Sequence, residues 1–273
     1  MVGPLDQLSG KRILITGAHG SLGTELQKRL AYRSWGGWNA AIVTTTDIDT
    51  MDVRDWDSVA RVVRNVDPDV IFHLAGAKHA PLGEVDPFGV AETNISGTEH
   101  MIDAAESCGA RVVLASTCKA CDPETAYGAT KLIAERMVLN ACGSVARFYN
   151  VPETCGNVFE LWRNLPEDEP LPVTPCSRYF ISAEQAIDLL LWCAVLPSGR
   201  YCADPGRAKR MSQVAAELYP GRPQRRIPPR RGDRLREPRF AAGEVSVPVS
   251  VGLEAVFSPH DPAREPTREE VVA

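Results

Sequence analysis

The sequence contains no apolar run that approaches the roughly 18 residues needed to cross a bilayer. Its first residues, MVGPLDQLSGKR, lack the apolar segment of a secretory signal peptide. A membrane-spanning protein and a secreted protein are therefore both unexpected. We expect a cytoplasmic protein that has no membrane partner.

An excess of positive charge is also lacking. The chain has 30 lysines and arginines against 35 aspartates and glutamates, a formal net charge of -5. Such a chain has no general attraction to nucleic acid or to an anionic membrane surface. The basic run 222–239 lacks interleaved aromatic residues, so no nucleic-acid partner is predicted.

Regular cysteine spacing is the third absence. The 8 cysteines form no repeated pattern, which favours reduced thiols over a disulfide framework. Most of them, including Cys142 and Cys193 in apolar segments, are predicted to be small core residues.

What the sequence does contain is an alternation of short apolar runs and amphipathic segments. With 273 residues, 44% of them hydrophobic, the chain suits one large domain or one domain with a small appendage. Buried strands are predicted at 11–16, 40–43, 70–74, 111–116 and 144–149. Helices are predicted at 24–30, 59–66, 94–107, 127–139 and 183–195. This alternation predicts an α/β fold of the Rossmann type, a doubly wound parallel sheet with helices on both faces.

A glycine turn lies between the first predicted strand and the first predicted helix. Glycine at Gly17, Gly20 and Gly23 allows a tight turn and lets the backbone approach a pyrophosphate closely, while the helix N-terminus offers free N–H groups. In this placement the pattern predicts a dinucleotide site. The spacing in TGAHGSLG resembles that of the short-chain dehydrogenase/reductase superfamily.

The character of the chain changes after Asn150, where prolines punctuate short segments. We therefore predict a dinucleotide-binding domain at 1–150 and a small C-terminal substrate-binding region at 151–257. In this prediction, part of the chain at 151–257 can pack as part of the first domain. A polar, mobile tail is predicted at 258–273.

The second strand leaves the identity of the dinucleotide open. An acidic residue at its end would bind the adenosine ribose, whereas an arginine would favour a 2'-phosphate. The strand runs through three threonines into Asp47, and no arginine follows until Arg54. Asp52 and Val53 occupy the place where the superfamily packs an Asp-hydrophobic pair against adenine. A turn or helix-capping carboxylate is the other interpretation of Asp52.

The stretch STCKACDPETAYGATK, at 116–131, allows three interpretations. It holds a Cys-x-x-Cys pair, Cys118 and Cys121, followed by a Tyr-x-x-x-Lys pair, Tyr127 and Lys131. A thiol redox pair belongs at a helix N-terminus, and this pair instead follows a predicted strand. A zinc site needs further ligands at useful spacing, so no metal site is predicted.

The Tyr-x-x-x-Lys pair explains more of this stretch with one mechanism. Its spacing places Tyr127 and Lys131 on one helix face, where the ammonium lowers the tyrosine pKa and binds the nicotinamide ribose. The phenolate then exchanges a proton with a substrate hydroxyl as general base. Thr117 would supply a hydroxyl that orients the reacting hydroxyl or ketone.

Several stretches together carry a family resemblance. In chain order they are MDVRDWDSV, IFHLAGAKHAPLGEVDP, TNISGTEHMIDAA, STCKACDPETAYGATKLIAER, RFYNV, SRYFIS and RRGDRLRE. On these stretches the chain resembles the extended short-chain dehydrogenases/reductases that modify nucleotide sugars. Within that group it is most similar to the inverting UDP-N-acetylglucosamine 4,6-dehydratases and to capsule-biosynthesis proteins of the CapD type.

The resemblance implies NADP as cofactor, although the sequence itself leaves NADP and NAD open, and it implies a UDP-linked sugar as substrate and a homo-oligomer, at least a dimer. In the implied reaction, hydride leaves sugar C4, a base removes the C5 proton, an acid helps the C6 hydroxyl to depart, and hydride returns to C6. Lys119 falls on the C5 base and Cys118 on the acid. The base role requires burial or a neighbouring cation to lower the pKa of Lys119.

The chain departs from the family in two ways. It is shorter than the usual member, and Cys118 stands where the family carries an aspartate. A thiol is a poorer hydrogen-bonding acid than a carboxylic acid, so elimination is retained, retuned or lost. A small buried thiol in an enzyme that no longer eliminates water is the other interpretation of Cys118.

Two sets of binding residues follow from the motifs and the resemblance. The predicted cofactor-binding residues are Gly17, Gly20, Ser21, Leu22, Gly23, Asp52, Val53, Leu74, Ala75, Gly76, Tyr127 and Lys131. The predicted substrate-binding residues are Lys78, His79, Asn150, Arg178, Arg231 and Glu237. Arg178 and Arg231 would bind a diphosphate bidentately. Solvated loop charges are the other interpretation of Lys78 and of the arginines at 222–239.

The sequence thus predicts an NAD(P)-dependent nucleotide-sugar dehydratase or dehydratase/epimerase acting on a UDP-hexose such as UDP-N-acetylglucosamine. A nucleotide-sugar 4-epimerase, a 4-ketoreductase or a 5,6-dehydratase is the alternative that keeps the cofactor. A catalytically inactive cofactor-binding regulatory or scaffold protein is the alternative of another class, and the replaced acid at Cys118 favours it.

Overall fold

Five parallel strands form the centre of the fold, and each grows out of a short run rich in branched residues. The computed structural model describes residues 3–33 and 42–262. In chain order the strands are β1 (Arg12–Thr16), β2 (Ile42–Thr46), β3 (Val70–His73), β4 (Arg111–Thr117) and β5 (Ser144–Phe148). They lie side by side in the order β2-β1-β3-β4-β5. The chain places β2 on one side of β1 and then β3 on the other side. Doubly wound sheets bind ligands at such a switch in strand order.

Helices connect these strands and cover both faces of the sheet. In chain order they are α1 (Pro4–Gln7), α2 (Ser21–Arg33), α3 (Trp56–Val66), α4 (Ala80–Gly83), α5 (Pro87–Ala91), α6 (Gly97–Cys108) and α7 (Ala126–Asn140). A π turn at Glu92–Ser96 leads into α6, and a 3-10 turn at Cys118–Ala120 follows β4. The Thr125 hydroxyl accepts the amide hydrogen of Gly128 and thereby caps the start of α7.

Alternate residues of each strand enter two apolar cores, one on each face of the sheet. Ile13 and Ile15 lie in the core covered by α1, α2 and a later helix, α9 (Ala183–Val195). Leu14 lies in the opposite core, which α3, α6 and α7 cover. Burial of each such side chain stabilises the fold by roughly 1.5–3 kcal/mol. The two helical layers confirm the predicted doubly wound α/β fold.

The chain after Asn150 divides between a small region and the main sheet. Its elements besides α9 are α8 (Val158–Asn164), β6 (Leu171–Val173), β7 (Ser177–Arg178), β8 (Gly199–Ala203), β9 (Lys209–Arg210), α10 (Met211–Leu218), β10 (Gln224–Arg226), β11 (Val245–Ser250) and β12 (Leu253–Phe257). β8 pairs in parallel with β5, and β12 and β11 follow as an antiparallel hairpin, which completes a sheet of 8 strands. Other elements pack around Phe159, Trp162 and Met211 in a separate apolar cluster. The domain boundaries at 150 and 257 stay a prediction.

Two predicted elements differ from the observed ones. The second strand, predicted at 40–43, is observed at Ile42–Thr46, and residues 40 and 41 lie outside the described part. It continues through three threonines because their branched side chains suit an extended backbone. The helix predicted at 94–107 begins in the π turn, so its regular part is Gly97–Cys108.

The placement of the cysteines corrects the prediction at one position. All 8 have free thiols in this structure, and their reduced state stays a prediction. Cys193 is buried as predicted, but Cys142 is exposed. Cys142 lies in the turn between α7 and β5 with a left-handed φ of 56°, so it does not join the core.

The predicted tail at 258–273 is described only as far as residue 262. In that part the Asp261 carboxylate accepts two hydrogen bonds from Arg200, each of 2.9 Å. The start of the tail is therefore bound to the main sheet, and the prediction that it is mobile from residue 258 is wrong there. Across 3–33 and 42–262, none of the helices has the length and apolar character that crossing a bilayer requires.

Candidate active site

The glycine turn lies at the switch point of the sheet, between β1 and α2. Gly17 has a φ of 67°, and a Cβ there would lie 2.6 Å from the Ala75 nitrogen. A Cβ at Gly23 would lie 2.5 Å from the Gly17 oxygen. Both distances are too short for a side chain, so only glycine fits. The turn brings the start of α2 close to the sheet, as the predicted dinucleotide site requires.

The N-terminus of α2 opens onto the same crevice. Its first amide hydrogens have no partner inside the helix and are suited to a phosphate. Gly20 is exposed at this point, and the Ser21 hydroxyl accepts the amide hydrogen of Cys155 at 3.0 Å. Leu22 packs against the core beneath the helix. A dinucleotide pyrophosphate therefore fits these residues.

The segment after β2 forms a second wall of the crevice. Asp47 follows β2 directly, and its Oδ2 accepts the amide hydrogen of His19 at 2.8 Å. Hydrogen bonds between Asp47 and Thr50 hold the loop in this shape. One ligand atom each of His19, Asp47 and Asp49 lies within 4.8 Å of the others. His19 and Asp49 are exposed, and Asp47 is partly buried. Acidic groups of this kind are common without a metal ion.

The predicted adenine pair lies beside this loop with both side chains engaged. Asp52 accepts hydrogen bonds from the Arg54 guanidinium at 2.7 and 3.0 Å, and these bonds lower the pKa of Asp52. Val53 is buried and lies 2.8 Å from the Cβ position of Gly97. Asp52 thus stabilises a turn, which was its other interpretation. A contact of the pair with adenine stays a prediction.

The loop after β3 passes the ammonium group of Lys131. A Cβ at Gly76 would lie 3.1 Å from Lys131 Nζ, so the ammonium lies against the loop backbone. Lys131 Nζ also donates a hydrogen bond to the Ala115 carbonyl at 3.0 Å. Burial lowers the pKa of Lys131 to about 8, against the opposing effect of Glu135. Leu74, Ala75 and Gly76 thus lie where the predicted cofactor contacts require.

Tyr127 lies on α7, one helical turn before Lys131. Thr117, the last residue of β4, and Lys119 of the 3-10 turn both act on its hydroxyl. Burial raises the pKa of Tyr127, and the Lys119 ammonium and the Thr117 hydroxyl offset only part of this rise. The structure therefore brings Tyr127, Thr117 and Lys119 together. The cation that lowers the tyrosine pKa is Lys119, an effect that the sequence assigned to Lys131.

Glu237 reaches this site from the C-terminal part of the chain. Its side chain is 2% exposed, and its Oε1 lies 3.0 Å from Lys119 Nζ and 3.3 Å from Arg178 Nε. Its Oε2 accepts hydrogen bonds from Asn150 Nδ2 at 2.7 Å and from the Cys118 thiol at 3.7 Å. Burial acts to raise the pKa of Glu237, but the two cations outweigh it and the pKa is lowered. We call these five residues the Glu237 cluster.

The Glu237 carboxylate shifts the pKa values of Lys119 and Cys118. Burial acts to lower the pKa of Lys119, but Glu237, Cys118 and Tyr127 together outweigh burial and the pKa is raised. Burial raises the pKa of the Cys118 thiol to about 12, and Glu237 adds to this rise. The base role predicted for Lys119 needs a lowered pKa, which is opposite to the raised pKa found here.

The remaining predicted substrate residues are dispersed. Lys78 Nζ donates to the Cys155 carbonyl at 3.2 Å, and His79 is exposed at the start of α4. Arg231 is 73% exposed and lies 3.9 Å from Glu84. Arg178 belongs to the Glu237 cluster, so its guanidinium is occupied by a carboxylate and is not open to a diphosphate.

A cavity of about 540 Å³ lies in the small region. Three arginines line it, Arg210, Arg226 and Arg236, together with Thr174 and Ser177. Among the described residues that line it there is no carboxylate. This cavity is therefore basic. Arg226 and Arg236 belong to the run 222–239 that the sequence analysis considered, whereas Arg210 was missed.

Asn94 is a further residue that the sequence analysis missed. It lies in the π turn with 1% of its surface exposed. Its side chain accepts the amide hydrogen of Ala77 at 2.9 Å and donates to the Ala77 carbonyl at 3.1 Å and to Thr130 at 3.0 Å. It thus joins the loop after β3 to α7. The available signal in the sequence was a polar residue inside an apolar helical segment. The π turn itself also points to function, since π turns are frequent at functional sites.

A buried charge network lies one turn further along α7. Glu135 is fully buried and binds Arg147 at 2.6 Å and Arg200 at 2.8 Å. Arg147 also binds Glu244 at 2.6 Å, and Arg200 binds Asp261. Burial acts to raise the pKa of Glu135, but the arginines outweigh it and lower the pKa to about 2. The network ties the catalytic helix to the C-terminal hairpin.

Comparison with known proteins agrees with this geometry. The chain is 30% identical to the probable polysaccharide biosynthesis protein EpsC of Bacillus subtilis over 247 residues, covering 78% of this chain and 41% of EpsC. It is 32% identical to a UDP-N-acetylglucosamine 4,6-dehydratase (inverting) of Campylobacter jejuni over 216 residues, covering 67% of this chain and 63% of that protein. The chain thus spans less than two thirds of the length of either relative.

A solved structure shows the same fold. The UDP-glucose 4-epimerase of Thermus thermophilus in complex with NAD superposes with a TM-score of 0.72 at 20% identity, covering 83% of this chain and 89% of that chain. Residues 37–246, more than half of the chain, match the family described as polysaccharide biosynthesis protein. The resemblance to CapD-type extended short-chain dehydrogenases/reductases is thereby confirmed. The chain belongs to this polysaccharide biosynthesis protein family.

Proposed function

We propose that the chain is an NAD(P)-dependent nucleotide-sugar enzyme of the dehydratase/epimerase type, which begins by oxidising C4 of a UDP-hexose such as UDP-N-acetylglucosamine. The observation that carries the proposal is the convergence of three features at one edge of a parallel sheet. These are the glycine turn, the Lys131 ammonium beside Gly76, and the buried Tyr127 hydroxyl, on which Thr117 and Lys119 act. The printed names of the dehydratase relative and of the epimerase structure support it.

The residues divide the first step between them. A nicotinamide cofactor would supply the acceptor for the hydride of C4. Tyr127 takes the proton of the C4 hydroxyl as general base, and Thr117 orients the same oxygen. Lys131 would bind the ribose of the nicotinamide half, and Gly17, Gly20 and Gly23 would hold the pyrophosphate at the start of α2.

The basic cavity of the small region suits the anionic part of the substrate. A nucleoside diphosphate carries negative charge on both phosphates, and arginine binds phosphate through bidentate hydrogen bonds. Arg210, Arg226 and Arg236 line the cavity, so we propose them as the diphosphate-binding residues in place of Arg178. Asn150 and Glu237 would then lie on the sugar side, where they hold Lys119 in place.

A second candidate is oxidation and reduction at C4 without loss of water, as in a 4-epimerase or a 4-ketoreductase. A specific observation favours it, because both residues assigned to elimination, Cys118 and Lys119, are engaged by Glu237. A dehydratase and a 4-epimerase share the oxidation at C4, and a 4-ketoreductase runs the same hydride transfer in the reverse direction. They differ in whether the C6 hydroxyl departs.

We further propose that the cofactor is NAD. The Asp47 carboxylate lies against the glycine turn, directly after β2, where an acidic residue binds the ribose hydroxyls of NAD. A 2'-phosphate there would meet negative charge. The first arginine after Asp47 is Arg54, and its guanidinium is occupied by Asp52.

We also propose a homo-oligomer, at least a dimer, that pairs through α6 and α7. Ile133 is 44% exposed on α7, and Phe88 is 72% exposed on the adjoining α5. Covering such side chains on association is favourable. Sedimentation of the wild type and of Ile133→Lys tests this, since the variant should sediment as a smaller species.

The function is tested by incubating the full chain with UDP-N-acetylglucosamine and NAD, followed by mass spectrometry and NMR of the sugar. Loss of water with a 4-ketone supports the dehydratase, and unchanged mass with inverted C4 supports the epimerase. If a panel of UDP-hexoses is left unaltered by a folded protein that binds NAD, the proposal is wrong and the scaffold alternative is favoured.

A further inference from the structure

We propose that Lys119 is the permanently charged partner of Tyr127, not the base that removes the sugar C5 proton, and that Glu237 holds it in this role. The inference rests on the proposed oxidation at C4. It makes Lys119 and Glu237 positioning residues for Tyr127. It also assigns to this chain C4 chemistry without loss of water.

The first argument is how firmly the Glu237 carboxylate is held. Its side chain is 2% exposed, and each of its oxygens has two partners. Asn150 and Arg178 bind it from outside the catalytic strip, at 2.7 and 3.3 Å. If the carboxylate turned away from Lys119, Arg178 would keep only its longer pairing with Asp233, at 3.5 Å, and the weakening of a buried ion pair is costly. Its 3.0 Å contact with Lys119 Nζ is therefore a fixed part of the site.

The second argument is the position of Lys119 relative to Tyr127. The Lys119 amide donates to the Thr117 hydroxyl at 3.3 Å, and both Thr117 and Lys119 act on the Tyr127 hydroxyl. A Cβ on Gly128 would lie 2.3 Å from the Lys119 carbonyl oxygen, so the 3-10 turn packs directly on α7. Glu237, Cys118 and Tyr127 are the titratable groups that act on the Lys119 ammonium. Lys119 and Cys118 are those that act on the Tyr127 phenol.

The third argument is chemical. A lysine can remove the C5 proton only through a free electron pair on Nζ, because the new N–H bond forms as the C–H electrons pass to the 4-ketone. The Glu237 carboxylate stabilises the ammonium, which has no such pair. A fixed ammonium instead stabilises the Tyr127 phenolate, the form that accepts the proton of the C4 hydroxyl.

The acid that elimination needs is withheld as well. Departure of the C6 hydroxyl as water requires a proton from a group that faces the sugar. Cys118 is fully buried, and its S–H bond is directed at Glu237 Oε2. Both residues that the resemblance assigns to elimination therefore serve the Glu237 cluster.

A titration without substrate tests the charge of Lys119. We would follow the side-chain nitrogen signals of isotope-labelled lysines by NMR as the pH rises, and assign Lys119 by its loss in Lys119→Arg. In the wild type Lys119 should stay charged beyond the value of about 10.4 for free lysine, and Glu237→Gln should move its titration to lower pH. A wild-type Lys119 that loses its proton at a pH below the value of about 10.4 for free lysine overturns the proposal.

Two substitutions of Lys119 test its role in the reaction. Lys119→Met removes the charge, and Lys119→Arg keeps it but cannot act as a base. In single-turnover oxidation at C4, Lys119→Met should be slower by at least about tenfold. The acidic limb of its pH–rate profile should move to higher pH by about one unit, because the pKa of Tyr127 rises when the charge is removed. Lys119→Arg should lose less of the rate. Equal rates of C4 oxidation in the wild type and Lys119→Met overturn the proposal.

Solvent deuterium gives an independent readout. The wild type in heavy water should release a sugar without deuterium at C5 and without loss of water, whereas a C5 base would exchange that position. Deuterium at C5 that disappears in Lys119→Arg overturns the proposal. Absence of any C4 oxidation in the wild type would instead contradict the proposed function, and the lysine titration would still decide the charge of Lys119.

Discussion

The thiol of Cys118 donates a hydrogen bond to the Glu237 carboxylate across 3.7 Å, although 119 residues separate them in the chain. This contact and the fully buried position of Cys118 exclude the reactive thiol that a Cys-x-x-Cys pattern suggests. The partner thiol, Cys121, is buried too and accepts a hydrogen bond from Arg147 at 3.2 Å. Both are structural thiols.

Alkylation should therefore separate the cysteines into two classes. Cys142 and Cys155 are exposed and should react within minutes, whereas Cys118 and Cys121 should react at least about a hundredfold more slowly in the folded protein. Burial raises the pKa of both buried thiols, so hardly any thiolate is present at pH 7. Mass spectrometry of the alkylated protein measures each site. Rapid labelling of Cys118 without unfolding would contradict this.

Tyr127→Phe should abolish most of the hydride transfer and leave cofactor binding nearly intact. Loss of a general base slows such a step by about 10²- to 10⁴-fold. Single-turnover absorbance gives the rate, and calorimetry gives the NAD affinity, which should stay within a few-fold. Tyr201→Phe is the matched control, because Tyr201 is equally buried but donates its hydrogen bond to Pro197. Similar turnover in both variants would remove Tyr127 from the mechanism.

Asp47→Arg should move the cofactor preference from NAD towards NADP. The change removes the carboxylate that accepts the His19 amide and places a guanidinium where a 2'-phosphate would lie. We expect the ratio of kcat/KM for NAD to that for NADP to fall by at least about tenfold, or roughly 1.4 kcal/mol. Asp49→Arg adds the same charge two residues along the loop and should change the ratio less. A wild type that prefers NADP would refute the assignment.

Arg147→Met should destabilise the fold severely. It leaves buried Glu135 and Glu244 short of a partner, which costs about 3–5 kcal/mol. Lys28→Met removes the exposed pair with Glu25 and should cost less than about 1 kcal/mol. Urea unfolding compares the two. A small effect of Arg147→Met would show that water enters the network.

The same network predicts a specific loss of stability in acid. The pKa of Glu135 is lowered from 4.5 to about 2, so its contribution is complete above pH 4.5 and is lost as the pH falls towards 2. Arg147→Met removes a cause of that shift, so its acid unfolding should begin at higher pH. Circular dichroism during acid titration measures both midpoints.

His73 should make stability fall in mild acid as well. It is fully buried between Thr16 and Thr98, and burial together with the Lys131 charge lowers its pKa from 6.5 to about 3. The unfolded chain takes up the proton first, so the free energy of unfolding should decrease by about 2 kcal/mol between pH 7 and pH 5. In His73→Gln this decrease should be smaller. Equal slopes in urea unfolding would contradict the assignment.

Local patterns carried most of the sequence prediction. The glycine turn, the pair of Tyr127 and Lys131 and the hydroxyl of Thr117 all depend on spacings of a few residues, and such spacings fix which atoms share a turn or a helix face. The parallel strands were equally local, since each is a short apolar run. These parts could be read without knowing any distant contact.

Distant contacts account for what the sequence did not reveal. The charge on Lys119 depends on Glu237, which joins the site only through the folded small region. Strands β8, β11 and β12 were not predicted, because membership of a sheet depends on pairing with β5 and not on composition. Cys142 was misassigned to the core. It follows an apolar helix, but its own left-handed backbone conformation places it in an exposed turn, which the apolar composition of the segment does not reveal.

The charge network also bears on the order in which the molecule matures during synthesis. Glu135 and Arg147 leave the ribosome well before Glu244 and Asp261, which complete their pairing. Until the last hairpin docks, Arg147 and Arg200 lack acceptors that the finished core provides. A nascent chain that stops short of that hairpin would therefore present the Tyr-x-x-x-Lys motif on a helix whose charge network is still incomplete.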